Sequence, residues 1–226
     1  MPTEPARELR MLRESTFFKT YEELRRMSMC YGMMDSKLAE LSVRVSTIRS
    51  FRQAKWTSYC ELERETMELC QLLSDFLSRM YACKNLATVC AKRCGVDREF
   101  RELKHDCLGF EASLMVNLRN YVVHVDLFPL EIDAAGGRVG FTRRCSSDQI
   151  WSLEQKRCLK AVDLGDLLIS YHGALTSFYS RFFGMLAEAS SRDMRACRSE
   201  IGELNRRVGY ELVKFDPFAE ARARAL

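Results

Sequence analysis

Leu69-Cys70-Gln71-Leu72-Leu73-Ser74-Asp75-Phe76-Leu77-Ser78-Arg79-Met80 places apolar side chains at i, i+3, i+4, i+7, i+8 and i+11. That spacing returns to one face of a 3.6-residue helix and matches no strand alternation. No proline stands between Pro5 and Pro129, so nothing in that span must interrupt a helix. Glycine in the span is limited to Gly32, Gly95 and Gly109, each read as a helix boundary. The stretch therefore predicts an all-α protein with long helices.

Working outward, a first helix is expected from near Glu8 to near Cys30, with Phe17, Tyr21 and Leu24 on one face and Gly32 ending it. Asp35 or Ser36 would cap a second helix carrying Leu38, Leu41, Val45 and Ile48. The helix containing Leu69 ends by Gly95. Another begins near Asp97 and runs through Phe110, Leu114 and Leu118 toward His124. Pro129, Gly136, Gly137 and Gly140 mark a loop, and the residues near 138–145 suit a short strand or hairpin. Ser146-Ser147-Asp148-Gln149 reads as a capping box before Trp151. Leu164, Leu167, Leu168, Tyr171, Leu175, Phe178 and Phe182 form one buried stripe; Met194, Cys197, Ile201, Leu204 and Val208 form another, ended by Gly209. No repeat or low-complexity linker appears, so 1–226 is read as a single domain. Within it, about 1–35 is an N-terminal helix of unclear role, and 210–226 is a tail that frays over 219–226.

At 226 residues, 47% hydrophobic and 29% charged, the chain can bury a core without staples. A net charge of +4 is too small for a nucleic-acid coat protein, yet leaves room for one local RNA cleft. The ten cysteines are scattered with no Cys-x-x-Cys pair, and Met1-Pro2-Thr3-Glu4-Pro5 has no signal-peptide character. They read as reduced core residues of a cytoplasmic protein. No apolar run is long enough to span a membrane: the longest charge-free one, 167–180, carries His172.

Three histidines, His105, His124 and His172, could exchange a proton near neutral pH. His105, between Lys104 and Asp106, suits a solvated helix face. His172, on a strongly apolar helix, suits a satisfied core or interface position. Cys90, Cys94, His105 and Cys107 follow no zinc spacing, so no metal or cofactor is expected.

His124 differs because Arg119 and Asn120 precede it. Four residues turn a helix by about 400°, so Asn120 and His124 share a face; five turn it by about 500°, leaving Arg119 roughly 140° away. Were the guanidinium and imidazole to converge on one phosphate, the imidazole could move the proton of a ribose 2′-hydroxyl. The guanidinium could then hold the charge of the transition state. DNA, lacking that hydroxyl, would resist this route. The plain alternative leaves Arg119 in solvent and His124 as a cation at a helix C-terminus. Arg138, Arg143 and Arg144 form a basic loop downstream that could guide RNA, or could simply be solvated.

Leu118-Arg119-Asn120-Tyr121-Val122-Val123-His124 resembles the Arg-polar-x3-His motif of the HEPN superfamily. It is similar to the subgroup with a Leu-Arg-Asn-Tyr-x-x-His signature followed by Leu and Pro, here Leu127 and Pro129 with Phe128 between them. Trp151 and the 164–183 helix, with Tyr171 and Phe178-Tyr179, fit the same subgroup. The resemblance is sharp over 118–129 and loose over roughly 60–187. It implies a HEPN-type helical bundle, a homodimer with the motifs facing a shared cleft, and catalysis by Arg119 and His124 with support from Asn120. It implies a metal-independent endoribonuclease in a toxin–antitoxin or antiviral defence setting, with RNA as substrate and an antitoxin or defence protein as partner. The alternative it leaves open is a non-catalytic HEPN-type module that binds or senses RNA, nucleotide or protein. Two departures stand out. Asp126 occupies the position where some HEPN toxins carry a regulatory tyrosine, and the N-terminal ~60 residues match no family motif.

Overall fold

In the computed structural model, which describes residues 4–50, 59–133 and 137–217, the stretch around Leu69 lies within one long helix. The elements in chain order are α1 (Glu4–Glu14), α2 (Thr16–Ser50), α3 (Tyr59–Arg93), α4 (Asp97–His124), β1 (Leu130–Asp133) and β2 (Arg138–Phe141). After these come α5 (Arg143–Ser147), α6 (Leu153–Ala161), α7 (Leu164–Ala189) and α8 (Ser191–Val208). Among the described residues the protein is all-α apart from one antiparallel hairpin, in which Leu130 faces Phe141 and Ile132 faces Val139. The expected strand near 138 is β2; its partner β1 was missed, because Leu130-Glu131-Ile132-Asp133 is too short to show alternation above noise.

Chain contacts divide the protein into two compact units. The first comprises Met1–Gly32, Cys83–Leu103 and Tyr179–Leu226. Leu12, Phe18, Tyr21, Cys197, Ile201 and Leu204 form a buried cluster there. The Tyr21 hydroxyl donates to the Lys214 carbonyl at 2.8 Å, and its ring stacks on Phe215 with centroids 5.3 Å apart. Tyr31, Tyr179 and Phe183 make a second aromatic group in the same unit.

The second unit comprises Met33–Ala82 and Lys104–Phe178 and contains the motif. Its core takes Leu38, Leu41, Val45 and Ile48 from α2, and Leu69, Leu73, Phe76, Leu77 and Met80 from α3. Leu114, Leu118, Tyr121 and Val122 come from α4, and Leu164, Leu168, Tyr171 and Leu175 from α7. The predicted stripes of α3 and α7 are thus buried, except Leu72, which is half-buried. Between α4 and α6 the polar link is Gln155, which is buried: its amide oxygen accepts from Asn117 at 3.1 Å, and its amide nitrogen donates to Ser113 at 3.3 Å.

Three local expectations are corrected. Gly32 does not end a helix; α2 runs unbroken through it. A mid-helix glycine costs only about 1 kcal/mol against alanine, and the buried row Met27, Tyr31, Met34 and Leu38 continues across it. Consequently neither Asp35 nor Ser36 is a cap. Gly109, by contrast, is a break as expected: with φ 28° and ψ −124° it is non-helical, and two helical segments of α4 meet there at a kink. The capping box belongs to Ser152, not Ser146. The Ser152 hydroxyl accepts from the Gln155 N–H at 3.2 Å, and the Gln155 side chain accepts from the Ser152 N–H at 3.1 Å. Ser146 and Ser147 instead close the short helix α5, which Thr142 caps. The expectations for Gly136 and for 219–226 fall outside the described residues.

Candidate functional site

The last turns of α4 are set by which side chains must be buried. Leu118, Tyr121 and Val122 face the core at i, i+3 and i+4. That phase leaves Arg119 and Asn120 half-buried and pushes Val123 and His124 into solvent. His124 is the last residue of the helix, where the macrodipole favours a cation.

Arg119 is held on two sides. Its guanidinium carbon lies 4.4 Å from the ring centroid of Tyr81, inside α3. Its Nη1 donates to Asn120 Oδ1 at 3.2 Å. Its Nε is buried and has no hydrogen-bond partner among the described residues. A planar cation stacked on one face and tethered at one edge is oriented before any ligand arrives. Leaving a guanidinium donor buried and unsatisfied is costly, and an anionic oxygen is the acceptor that best removes the cost.

Arg119 and Asn120 are therefore brought together as neighbours. Among the described residues no hydrogen bond or ion pair joins His124 to either of them. Asn120 sits one helical turn before His124, as the spacing requires. Beyond the helix, the Val125 and Asp126 N–H groups both return to the Tyr121 carbonyl, at 2.8 and 3.1 Å. Asp126 then organises the following turn: one carboxylate oxygen accepts from the Phe128 N–H at 3.0 Å, and the other pairs with Arg144 at 3.4 Å.

Underneath, the Tyr121 ring lies 6.1 Å from Trp151 by centroids, and the Trp151 indole donates to the Cys145 carbonyl at 2.7 Å. The Tyr121 hydroxyl is buried with no partner among the described residues, and burial pushes it up to about 12. It remains a phenol at neutral pH, part of the floor rather than a source of protons.

Of the basic loop, Arg138 is committed to scaffolding. Its Nη2 donates to the Ala161 and Val162 carbonyls at 2.7 and 3.2 Å, which closes the C-terminal end of α6. Arg144 is exposed but paired with Asp126. Arg143 is exposed, and its side chain makes no ion pair among the described residues.

The other histidines lie elsewhere. His105 is on a solvated face, 92% exposed. His172 is not in the core: it is exposed, with its Nε2 3.1 Å from Asp35 Oδ1, and the apolar stripe of α7 passes on the other side. Cys90 is buried, with its thiol directed at the Glu23 carbonyl, and Cys94 contacts Ser190. Among the described residues no group of three or more His, Cys, Asp or Glu side chains could hold a metal ion. Nor is any helix among them long and apolar enough to cross a membrane.

Two residues of the site escaped the sequence reading. Tyr81 is 38 positions from Arg119 and carries no local signal of that pairing. Phe128 was visible only as a residue between Leu127 and Pro129. Comparison of the chain with protein-family models, with curated proteins and with solved structures found no match.

Proposed function

We propose that this chain is a HEPN-type, metal-independent endoribonuclease whose site is Arg119, Asn120 and His124. The observation that supports it best is the state of Arg119: half-buried, stacked on Tyr81, tethered by Asn120, and left with an unsatisfied buried N–H. That is an arginine arranged for an anion. One turn on, His124 offers an exposed imidazole with no competing partner among the described residues.

In the proposed reaction His124 accepts the proton of a ribose 2′-hydroxyl. The 2′-oxygen attacks the adjacent phosphorus, and the bond to the 5′-oxygen breaks. The leaving oxygen takes a proton from water or from the imidazolium of a second copy's motif. Arg119 holds a non-bridging oxygen as charge develops on it. The products are a 2′,3′-cyclic phosphate and a 5′-hydroxyl. A homodimer sharing one cleft, a cytoplasmic defence or toxin role, and an antitoxin or defence protein as partner complete the proposal; they rest on the motif resemblance.

The test is cleavage of end-labelled RNA by purified protein in EDTA, with the new ends identified. Arg119→Ala and His124→Ala should each lower the rate by about 100-fold or more while leaving helicity intact. Cleavage unchanged by either substitution would reject the site. RNA binding without turnover in the unsubstituted protein would favour the non-catalytic binding module instead.

A further inference from the structure

On either side of His124 the chain exposes Val123, Val125, Leu127 and Phe128, an apolar edge beside the site rather than in a core. Phe128 is 49% exposed, and its ring meets no other aromatic ring or cation among the described residues. Its backbone is nevertheless fixed, since its N–H is bound by Asp126, which itself holds Arg144.

The hairpin brings a second exposed segment up to the one that carries Phe128. Leu130 faces Phe141, and the Thr142 N–H donates to the Pro129 carbonyl at 2.8 Å. That bond and the Asp126–Arg144 pair lay the 126–129 turn against residues 142–144, where β2 gives way to α5. Phe128 and Arg143, both exposed, thus lie on adjoining backbone segments. Four residues separate Phe128 from His124, a reach of no more than about 15 Å, or two to three nucleotide spacings of an extended strand.

We infer that Phe128 is a stacking platform for one unpaired nucleobase, with Arg143 on the adjoining phosphate, so that the site takes single-stranded RNA. The inference rests on the RNA reading of Arg119 and His124 for the direction of the strand. Aromatic rings beside basic side chains hold single strands without sequence preference, because every base has a π-face. A paired base keeps both faces inside the duplex and offers none to Phe128. The edge is poorly suited to a two-fold contact with a second copy. Such a contact centred on Phe128 would bring two unpaired Arg143 side chains together.

The probe is a fluorescein-labelled 2′-O-methyl oligoribonucleotide, uncleavable because its attacking hydroxyl is blocked, offered single-stranded and as a hairpin duplex. Phe128→Ala should weaken single-strand binding by roughly 5- to 100-fold, and Phe128→Tyr should keep it. Arg143→Ala should weaken it less and flatten its salt dependence. Duplex binding should be weaker at the outset and indifferent to Phe128→Ala. Melting curves confirm folding, which an exposed ring should not control. Equal losses for strand and duplex, or no loss, would overturn the inference, as would dissociation of an oligomer by Phe128→Ala in light scattering. Arg119 and His124 are unchanged in these variants and nothing is cleaved. Failure here therefore leaves the cleavage proposal standing, and failure of the cleavage test leaves this binding result standing.

Discussion

The guanidinium carbon of Arg119 lies 4.4 Å from the centroid of the Tyr81 ring, joining α4 to α3 through one stacked cation. Tyr81 touches no substrate in the proposed reaction, so it is a positioning residue: it fixes the plane in which Arg119 presents its donors. The ring and not the hydroxyl does this, so Tyr81→Phe should cleave RNA at the parent rate. Tyr81→Ala should lower kcat by about 3- to 30-fold, the worth of a cation–π contact, with KM little changed. Arg119→Lys should behave like Arg119→Ala, because an ammonium cannot stack or bind bidentately. A Tyr81→Ala variant with unaltered kcat, or a Phe variant no better than Ala, would remove Tyr81 from the site.

The difference between Tyr81 and Asn120 shows how far the sequence could be read. Asn120 is local to the motif, and helix geometry alone put it on the face of His124. Tyr81 is contributed by another helix, and only tertiary packing brings the two together. The helical stripes at Leu69–Met80 and in α7 were legible because burial repeats at 3.6 residues and outweighs local propensity. Gly32 misled for the same reason: its local preference is worth less than the packed row it interrupts. His172 misled because an apolar helix still has an outer face, and one histidine does not say which face it is on.

Asn205 closes the C-terminal segment of the first unit. Its Oδ1 accepts from the Leu212 and Val213 N–H groups at 2.9 and 3.0 Å, and its Nδ2 donates to the Val213 carbonyl at 2.8 Å. Asn205→Ala leaves three partly buried backbone groups without partners and should cost about 1–3 kcal/mol. Asn205→Asp keeps the acceptors and loses the donor, so it should fall between parent and alanine. Urea unfolding measures the cost, and hydrogen exchange at the Leu212 and Val213 amides locates it. A loss under about 0.5 kcal/mol for the alanine variant, with those amides still protected, would show that Tyr21 and Phe215 hold the segment unaided.

The buried thiols make the fold sensitive to alkali. Burial pushes Cys70 up to about 11 and Cys90, Cys145 and Cys197 up to about 12, from the ordinary thiol value of 9.0. Above that value the unfolded chain gives up protons that the folded protein keeps, so the folded state is the one losing ground. The stability they contribute is fully present below pH 9.0 and is lost as pH rises from 9.0 toward 12. Each thiol contributes a slope of up to about 1.4 kcal/mol per pH unit in that window. With reductant present, the urea midpoint should be level between pH 7 and 8 and fall steeply by pH 10. A midpoint unchanged at pH 10, or one that falls equally in a Cys145→Ala, Cys197→Ala double variant, would exclude the thiols as the cause.

Gly109 and Gly202 should respond to alanine in opposite directions, although neither is crowded: a Cβ at either position would meet nothing within 4 Å. Gly109 carries φ 28° and ψ −124° at the kink of α4, a backbone that L-residues rarely adopt. Alanine there must either hold a strained conformation at about 1–3 kcal/mol or straighten the helix. Straightening would move the turn that carries Arg119 and His124, so RNA cleavage should fall along with melting temperature. Gly202 lies exposed within α8 and has no such constraint, so Gly202→Ala should raise stability by roughly 0.5–1 kcal/mol through helix propensity and a less flexible unfolded chain. Gly202 belongs to the first unit and the motif to the second, and its substitution should leave cleavage untouched. Thermal melts and cleavage rates on the two variants give four readings. If Gly109→Ala melts at or above the parent temperature and cleaves at the parent rate, the kink is dispensable and α4 delivers its motif equally well as a straight helix.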